Sequence, residues 1–105
     1  MLPPYLEPEE AALAEDKEKV EKPSLYRVLL HNDDYTSMEF VVFVLRSIFH
    51  KNFEDAYRLM MDVHMKGKGV AGVFTFEIAE MKVSQTMDLA RENDFPLLCT
   101  MEATD

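Results

Sequence analysis

At 105 residues, 48% hydrophobic and 30% charged, the chain has room for one small globular core and none for a second folded unit or a large internal active-site cavity. Its formal net charge of -9 opposes nucleic-acid phosphates and the anionic face of a membrane, so neither is an expected partner, whereas a cationic group is. The single cysteine, Cys99, can neither close an intramolecular disulfide nor build a thiolate metal cage, which fits a reducing compartment.

Residues Met1 to Lys22 carry seven acidic and three basic side chains, with Pro3, Pro4 and Pro8 and no clean apolar stripe. Acidic segments of low hydrophobicity are commonly disordered, so residues 1–22 are expected to form a flexible extension and residues 23–105 the folded domain. The start lacks the basic region of a secretory signal. The longest apolar run, Phe40 to Leu45, falls far short of the roughly 20 residues that span a bilayer, and a cytoplasmic protein is expected.

The run Leu25 to His31, LYRVLLH, is rich in strand formers, follows Pro23 and stops at the turn-prone Asn32, Asp33 and Asp34. It is read as the first strand. Thr36 with Glu39 makes a capping box and Tyr35 can staple onto Phe40, so a helix is expected from here to about His50, with Val41, Val42, Leu45, Ile48 and Phe49 facing the core. Asn52 can cap a second helix from Phe53 to about Lys66, with Ala56, Met60 and Val63 on one face and Gly67 as its stop. The alternating sequence from Val70 to Ala79 reads as a second strand, Glu80 to Asn93 as a third helix, and the residues after Pro96, LLCTM, as a final strand. The expected fold is α+β, in the order β-α-α-β-α-β, with three helices on one face of a three-stranded antiparallel sheet.

Three adjacent polar side chains, Asn32, Asp33 and Asp34, sit between a strand and a helix cap, where an ordinary turn needs one or two. Turn formation and dipole complementation account for them in part. His64, beside the apolar stripe of the second helix, can be a satisfied structural histidine; joined with Asn32 and Asp33 it supplies a third acceptor for an ammonium group with three donors. A free protein amino terminus is such a group, mostly charged at neutral pH. Met38, Met60, Met61 and Met65, among eight methionines in all, are core filler in most proteins, yet thioethers also line apolar pockets that admit side chains of several shapes.

Other chemistries fit less well. His31, Asp33, Asp34 and His64 lack a spacing that fixes metal geometry, neighbouring acids in a turn do not oppose one another across a substrate, and neither a phosphate-cradling glycine loop nor a nucleophile arrangement is present. No enzyme, metal or cofactor is expected.

Four separated motifs resemble the ClpS family in order. They are Tyr26, Val28 and Leu29 or Leu30 followed by Asn32-Asp33-Asp34-Tyr35-Thr36-x-Met38-Glu39-Phe40-Val41-Val42; Met60-x-x-Val63-His64 with Gly67; Gly72-Val73-Phe74-Thr75-x-Glu77-x-Ala79-Glu80-x-Lys82; and Ala90-Arg91-Glu92-Asn93 with Pro96-Leu97-Leu98. The resemblance spans Ser24 to Glu102. It implies a monomeric adaptor that delivers proteins with N-terminal Leu, Phe, Tyr or Trp to the N-terminal domain of the ClpA unfoldase, for degradation by ClpP. It further implies that Asn32, Asp33 and His64 hold the substrate's amino group and that Thr36 contacts its backbone. Val41, Met60, Val63 and Leu97 would line the side-chain pocket, with Met38 as a gate against β-branched residues. Glu77 and Lys82 match positions that contact the unfoldase, and the extension matches one that promotes handover. Ser37 stands where many relatives carry proline at the first helical position, which bears on the rigidity of the loop and the tightness of the gate. Two alternatives remain: a regulator that docks on an ATPase without reading amino termini, and a metal-dependent or acid-base enzyme using His64 and Asp33.

Overall fold

The computed structural model describes residues 23–105, so the expected extension, 1–22, lies outside the described residues. Six elements follow in the order β1 (Leu25–His31), α1 (Met38–Ser47), α2 (Phe53–Lys66), β2 (Lys68–Thr75), α3 (Phe76–Glu92) and β3 (Leu98–Ala103). The strands form one antiparallel sheet in the order β2-β1-β3, so the first strand of the chain is its spine.

The alternation of β1 decides the architecture. Val28 and Leu30 are fully buried and join Phe40, Val41, Val44, Leu45, Ala56, Met60, Val63, Ala79 and Ala90 in one core that unites all three helices. The opposite face carries Arg27, ion-paired with Glu102 across β3 at 3.6 Å, and His31, bonded to the Thr100 hydroxyl at 2.7 Å. An antiparallel sheet tolerates one helix-covered face and one more polar face in this way, although Leu29, between Arg27 and His31, is also buried at 6% exposure. Thr86, the buried polar residue of the core, lies near the Cys99 thiol, but its hydroxyl makes no hydrogen bond among the described residues. Burial pushes that thiol up to about 11, despite the contact with Thr86, and leaves it protonated and inert at neutral pH.

α2 matches its expected bounds because both of its signals act as read. The Asn52 side chain accepts from Asp55 N at 2.8 Å, and Gly67 closes the helix at φ 92°, a left-handed conformation that glycine adopts without a Cβ penalty. α1 starts one residue later than the capping box implies. Thr36 turns its hydroxyl toward Asp33, and the cap is Ser37, whose Oγ accepts from Phe40 N at 3.1 Å. The residue expected to loosen the loop therefore satisfies one of the free amides at the helix start. Ser37→Ala should cost about 1 kcal/mol and lower Tm by roughly 4–8 °C, measured by thermal circular dichroism.

The β2–α3 junction corrects the sequence reading. The strand runs from Lys68 to Thr75, and Phe76 to Ala79 form the first turn of the helix rather than the end of a strand. Phe74, Phe76 and Ile78 mimic strand alternation, but Ala79 begins the buried stripe of Ala79, Thr86 and Ala90, flanked by Val83 and Met87, and only a helix places these on one face. Ala71 is an extra residue opposite the Val28/Leu29 step, a bulge that a strict two-residue period does not anticipate. The final strand begins at Leu98 and ends at Ala103, with Leu97 already buried in the core before it.

Candidate functional site

The end of β1 and the end of α2 meet. Asn32 N donates to Gly67 O at 2.8 Å, fastening the loop after the strand to the cap of the helix. Close packing of β2 beneath the same helix is possible because Gly69 has no side chain: a Cβ there would lie 2.9 Å from Val63 Cγ2 and 3.2 Å from Leu59 Cδ1. Two backbone features thus bring His64, in the last turn of α2, beside Asn32.

Asp33 organises the loop. Its Oδ1 accepts from Tyr35 N at 2.8 Å and Thr36 N at 2.6 Å, while its Oδ2 accepts from the Thr36 hydroxyl at 2.7 Å. Burial raises the carboxyl pKa, but these three hydrogen bonds outweigh it and hold the group below its ordinary 3.8, as a carboxylate. A carboxylate offers about four acceptor positions, so three internal bonds leave capacity for one external donor.

Below this loop opens a cavity of about 270 Å³, lined by Asn32, Asp33, Asp34, Thr36, Met38, Val41, Met60, Val63 and His64. Its apolar wall has two sources. Met38 and Val41 lie one turn apart at the start of α1, and Met60 and Val63 lie on the adjoining face of α2. Val41, Met60 and Val63 are buried, whereas Met38 is 43% exposed and stands at the mouth. The rim is polar, carries two carboxylates and no lysine or arginine, and adjoins the α2 C-terminus, whose carbonyls favour a cation. A volume near the roughly 300 Å³ lower end of ligand sites suits one side chain rather than a large cofactor.

All four residues expected to hold an amino terminus, Asn32, Asp33, Thr36 and His64, line this cavity, together with Met38, Val41, Met60 and Val63. Leu97 is not among these lining residues; like Val41, Met60 and Val63 it is buried in the core, at 3% exposure. Asp34, read from sequence as part of the turn and left out of the amino-terminus set, faces the cavity too, and its place beside Asp33 was the available signal. Glu77 and Lys82 lie away from the cavity on α3. Glu77 is exposed in the first turn, but Lys82 is not the free surface charge that its sequence setting implies: its Nζ donates to Ile48 O at 2.6 Å, satisfying a carbonyl at the end of α1. Among the described residues, no group of three or more His, Cys, Asp or Glu is arranged to hold a metal, and no helix is long and apolar enough to cross a membrane.

Fold and site together define a small recognition domain, with a side-chain-sized apolar pocket under an acidic rim. Residues 21–100 match the family model described as ATP-dependent Clp protease adaptor protein ClpS. The chain is 59% identical over 92 residues to an ATP-dependent Clp protease adapter protein ClpS of Caulobacter sp. (strain K31), covering 88% of this chain and 84% of that one. It is 64% identical over 84 residues to the ClpS of Brucella canis, covering 80% and 72%. The solved structure of Agrobacterium tumefaciens ClpS2 bound to L-phenylalaninamide superposes with a TM-score of 0.76 at 43% identity, covering 78% of this chain and 99% of that chain. The chain belongs to the ClpS family: it is an adaptor of the Clp protease, not an enzyme.

Proposed function

We propose that the cavity captures the free amino terminus and bulky first side chain of proteins destined for degradation. The observation that carries this reading is the apposition, in one cavity, of an apolar wall from Met38, Val41, Met60 and Val63 with the acceptors of Asn32, Asp33 and His64. L-phenylalaninamide, the molecule bound to the Agrobacterium relative, has an α-amino group, an aromatic side chain and an amide where a peptide would continue. It is the smallest mimic of an N-terminal phenylalanine.

In this mechanism the ammonium donates to Asn32, Asp33 and the His64 imidazole, directly or through water, while Thr36 contacts the peptide backbone. Leu, Phe, Tyr or Trp fills the apolar wall, and Met38, at the mouth, rejects side chains branched at Cβ. The loaded adaptor, a monomer in the cytoplasm, docks on the N-terminal domain of ClpA through the α3 side that carries Glu77 and Lys82. Residues 1–22 assist handover to the unfoldase and ClpP. Because Lys82 already holds Ile48 O, Glu77 is the freer of the two docking groups.

His64→Ala tests the assignment. Losing one hydrogen bond to a charged group costs about 1.5–3 kcal/mol, so affinity for a Leu-initiated peptide should fall roughly 10- to 150-fold, with ClpA binding unchanged. Loss of ClpA binding with unaltered peptide affinity would move His64 from the substrate site to the docking surface.

A further inference from the structure

α1 is apolar on two sides. Phe40, Val41, Val44 and Leu45 complete its buried stripe, yet Phe43 lies outside that stripe and is 53% exposed. A large ring on the outer face of a helix adds nothing to the core and makes a surface that a partner can cover. The start of α2 adds Phe53, 57% exposed and stacked on Tyr57 with ring centroids 6.2 Å apart. An open groove of about 640 Å³ runs between them, with Val42, Phe43, Arg46, His50, Lys51 and Phe53 in its lining. It shares no lining residue with the amino-terminus pocket.

The charge of this groove runs against that of the chain, which is -9 overall. Among the described residues, Arg27, Arg58, Lys66 and Arg91 pair with carboxylates, and Lys82 donates to a carbonyl. Arg46, Lys51 and Lys68 are left without a carboxylate partner there, and two of those three line the groove. Arg46 rests against a ring instead, its guanidinium 5.8 Å from the Phe53 centroid. His50 takes a left-handed backbone, φ 56°, in the turn between α1 and α2, and Lys51 N donates to Leu45 O at 3.0 Å. The turn that carries Lys51 is thereby fastened to the end of α1. Glu39, the carboxylate of the lining, lies seven positions before Arg46, about two turns away along the helix.

We infer that this groove binds an acidic segment of a partner protein that carries leucine or aromatic side chains. Phe43 and Phe53 receive its apolar side chains, and Arg46 and Lys51 donate to its carboxylates. A guanidinium resting over a ring still offers its N–H edge to a carboxylate. A basic segment would be repelled by the two cations, and nucleic acid by the net charge of the whole chain. Because the groove and the amino-terminus pocket have separate linings, the adaptor can hold a partner and a substrate together.

Fluorescence anisotropy of a labelled, N-acetylated peptide in which Leu and Phe alternate with Asp and Glu tests the inference; acetylation removes the amine that the pocket is proposed to read. Saturable binding to the full chain is expected, at least about 10-fold weaker in Arg46→Glu/Lys51→Glu and in Phe43→Ser/Phe53→Ser. Phe43 and Phe53 are both more than half exposed, so the second variant should melt as wild type does. Binding should weaken several-fold in roughly 0.5 M NaCl, and should persist when a free Leu-initiated peptide is also bound. Amide shifts in 1H–15N spectra should gather at residues 42–53 rather than at Asn32 and His64. Equal binding of a version with Lys in place of the acids, shifts centred on the pocket, affinity indifferent to both variants, or no binding up to about 1 mM peptide would each overturn it. Self-association that Phe43→Ser/Phe53→Ser abolishes, without peptide binding, would assign the face to a second copy of the chain and overturn it too.

Discussion

Asp33→Ala is expected to reduce affinity for a free Leu- or Phe-initiated peptide by at least about 100-fold. The substitution removes a charge-assisted acceptor for the ammonium, worth about 1.5–3 kcal/mol, and also releases three bonds that shape the loop, to Tyr35 N, Thr36 N and the Thr36 hydroxyl. Asp33→Asn separates the two roles. An asparagine oxygen still accepts from Tyr35 N and Thr36 N, so the loop is retained while the charge is lost, and an intermediate loss of about 10-fold follows. Isothermal titration with one peptide and three proteins checks the order. Wild-type affinity in Asp33→Asn would show that the charge does not face the amine. The pH profile carries the same information: the Asp33 pKa is depressed in the fold, so its stabilisation is fully present above 3.8 and is lost as pH falls through the lower folded value. Binding should therefore be insensitive to Asp33 from about pH 5 upward, and should weaken above about pH 8 as the peptide amine deprotonates.

Leu30→Ala should destabilise the domain by about 2–5 kcal/mol, a drop in Tm of roughly 10 °C or more. Leu30 lies on the central strand, fully buried, where β1 is paired on both sides and covered by the helices. A domain of this size has a stability of only about 5–15 kcal/mol, so the loss is a large share of the total. Leu25, on the same strand but 44% exposed, gives the contrast: Leu25→Ala should stay within about 1 kcal/mol. Thermal melts of both variants, compared with wild type, measure the difference. Equal shifts would contradict the one-sided core.

The elements most legible in the sequence were those whose local signals agreed with their tertiary setting. β1 has a β-rich run closed by a polar turn, and α2 has Asn52 and Gly67 at its ends; both appear with the expected bounds. Phe76 to Ala79 misled because local alternation competed with a helical stripe that became decisive only through packing of Ala79 and Ala90 against β1 and β3. At the cavity, the polar set was legible because strand end, turn and His64 leave distinct marks in the chain. Leu97 was assigned to the wall through resemblance; it is buried in the same core as Val41, Met60 and Val63 without joining them in the cavity lining, and nothing in its local sequence marks that difference. The role of Lys82 depends on where α1 ends relative to α3, a tertiary relation without local trace.

In the proposed mechanism a charged amino terminus and a bulky first side chain are read together. Fluorescence anisotropy of labelled peptides beginning with Leu or Phe, beside their N-acetylated forms and peptides beginning with Val, tests it most directly. Acetylation removes the charge and leaves Asn32, Asp33 and His64 short of donors, so losing two or three charge-assisted bonds should weaken binding by at least about 100-fold. Val, branched at Cβ, should also bind weakly against Met38. Micromolar binding confined to the free Leu and Phe peptides is the predicted result; equal binding of free and acetylated peptides would contradict the claim.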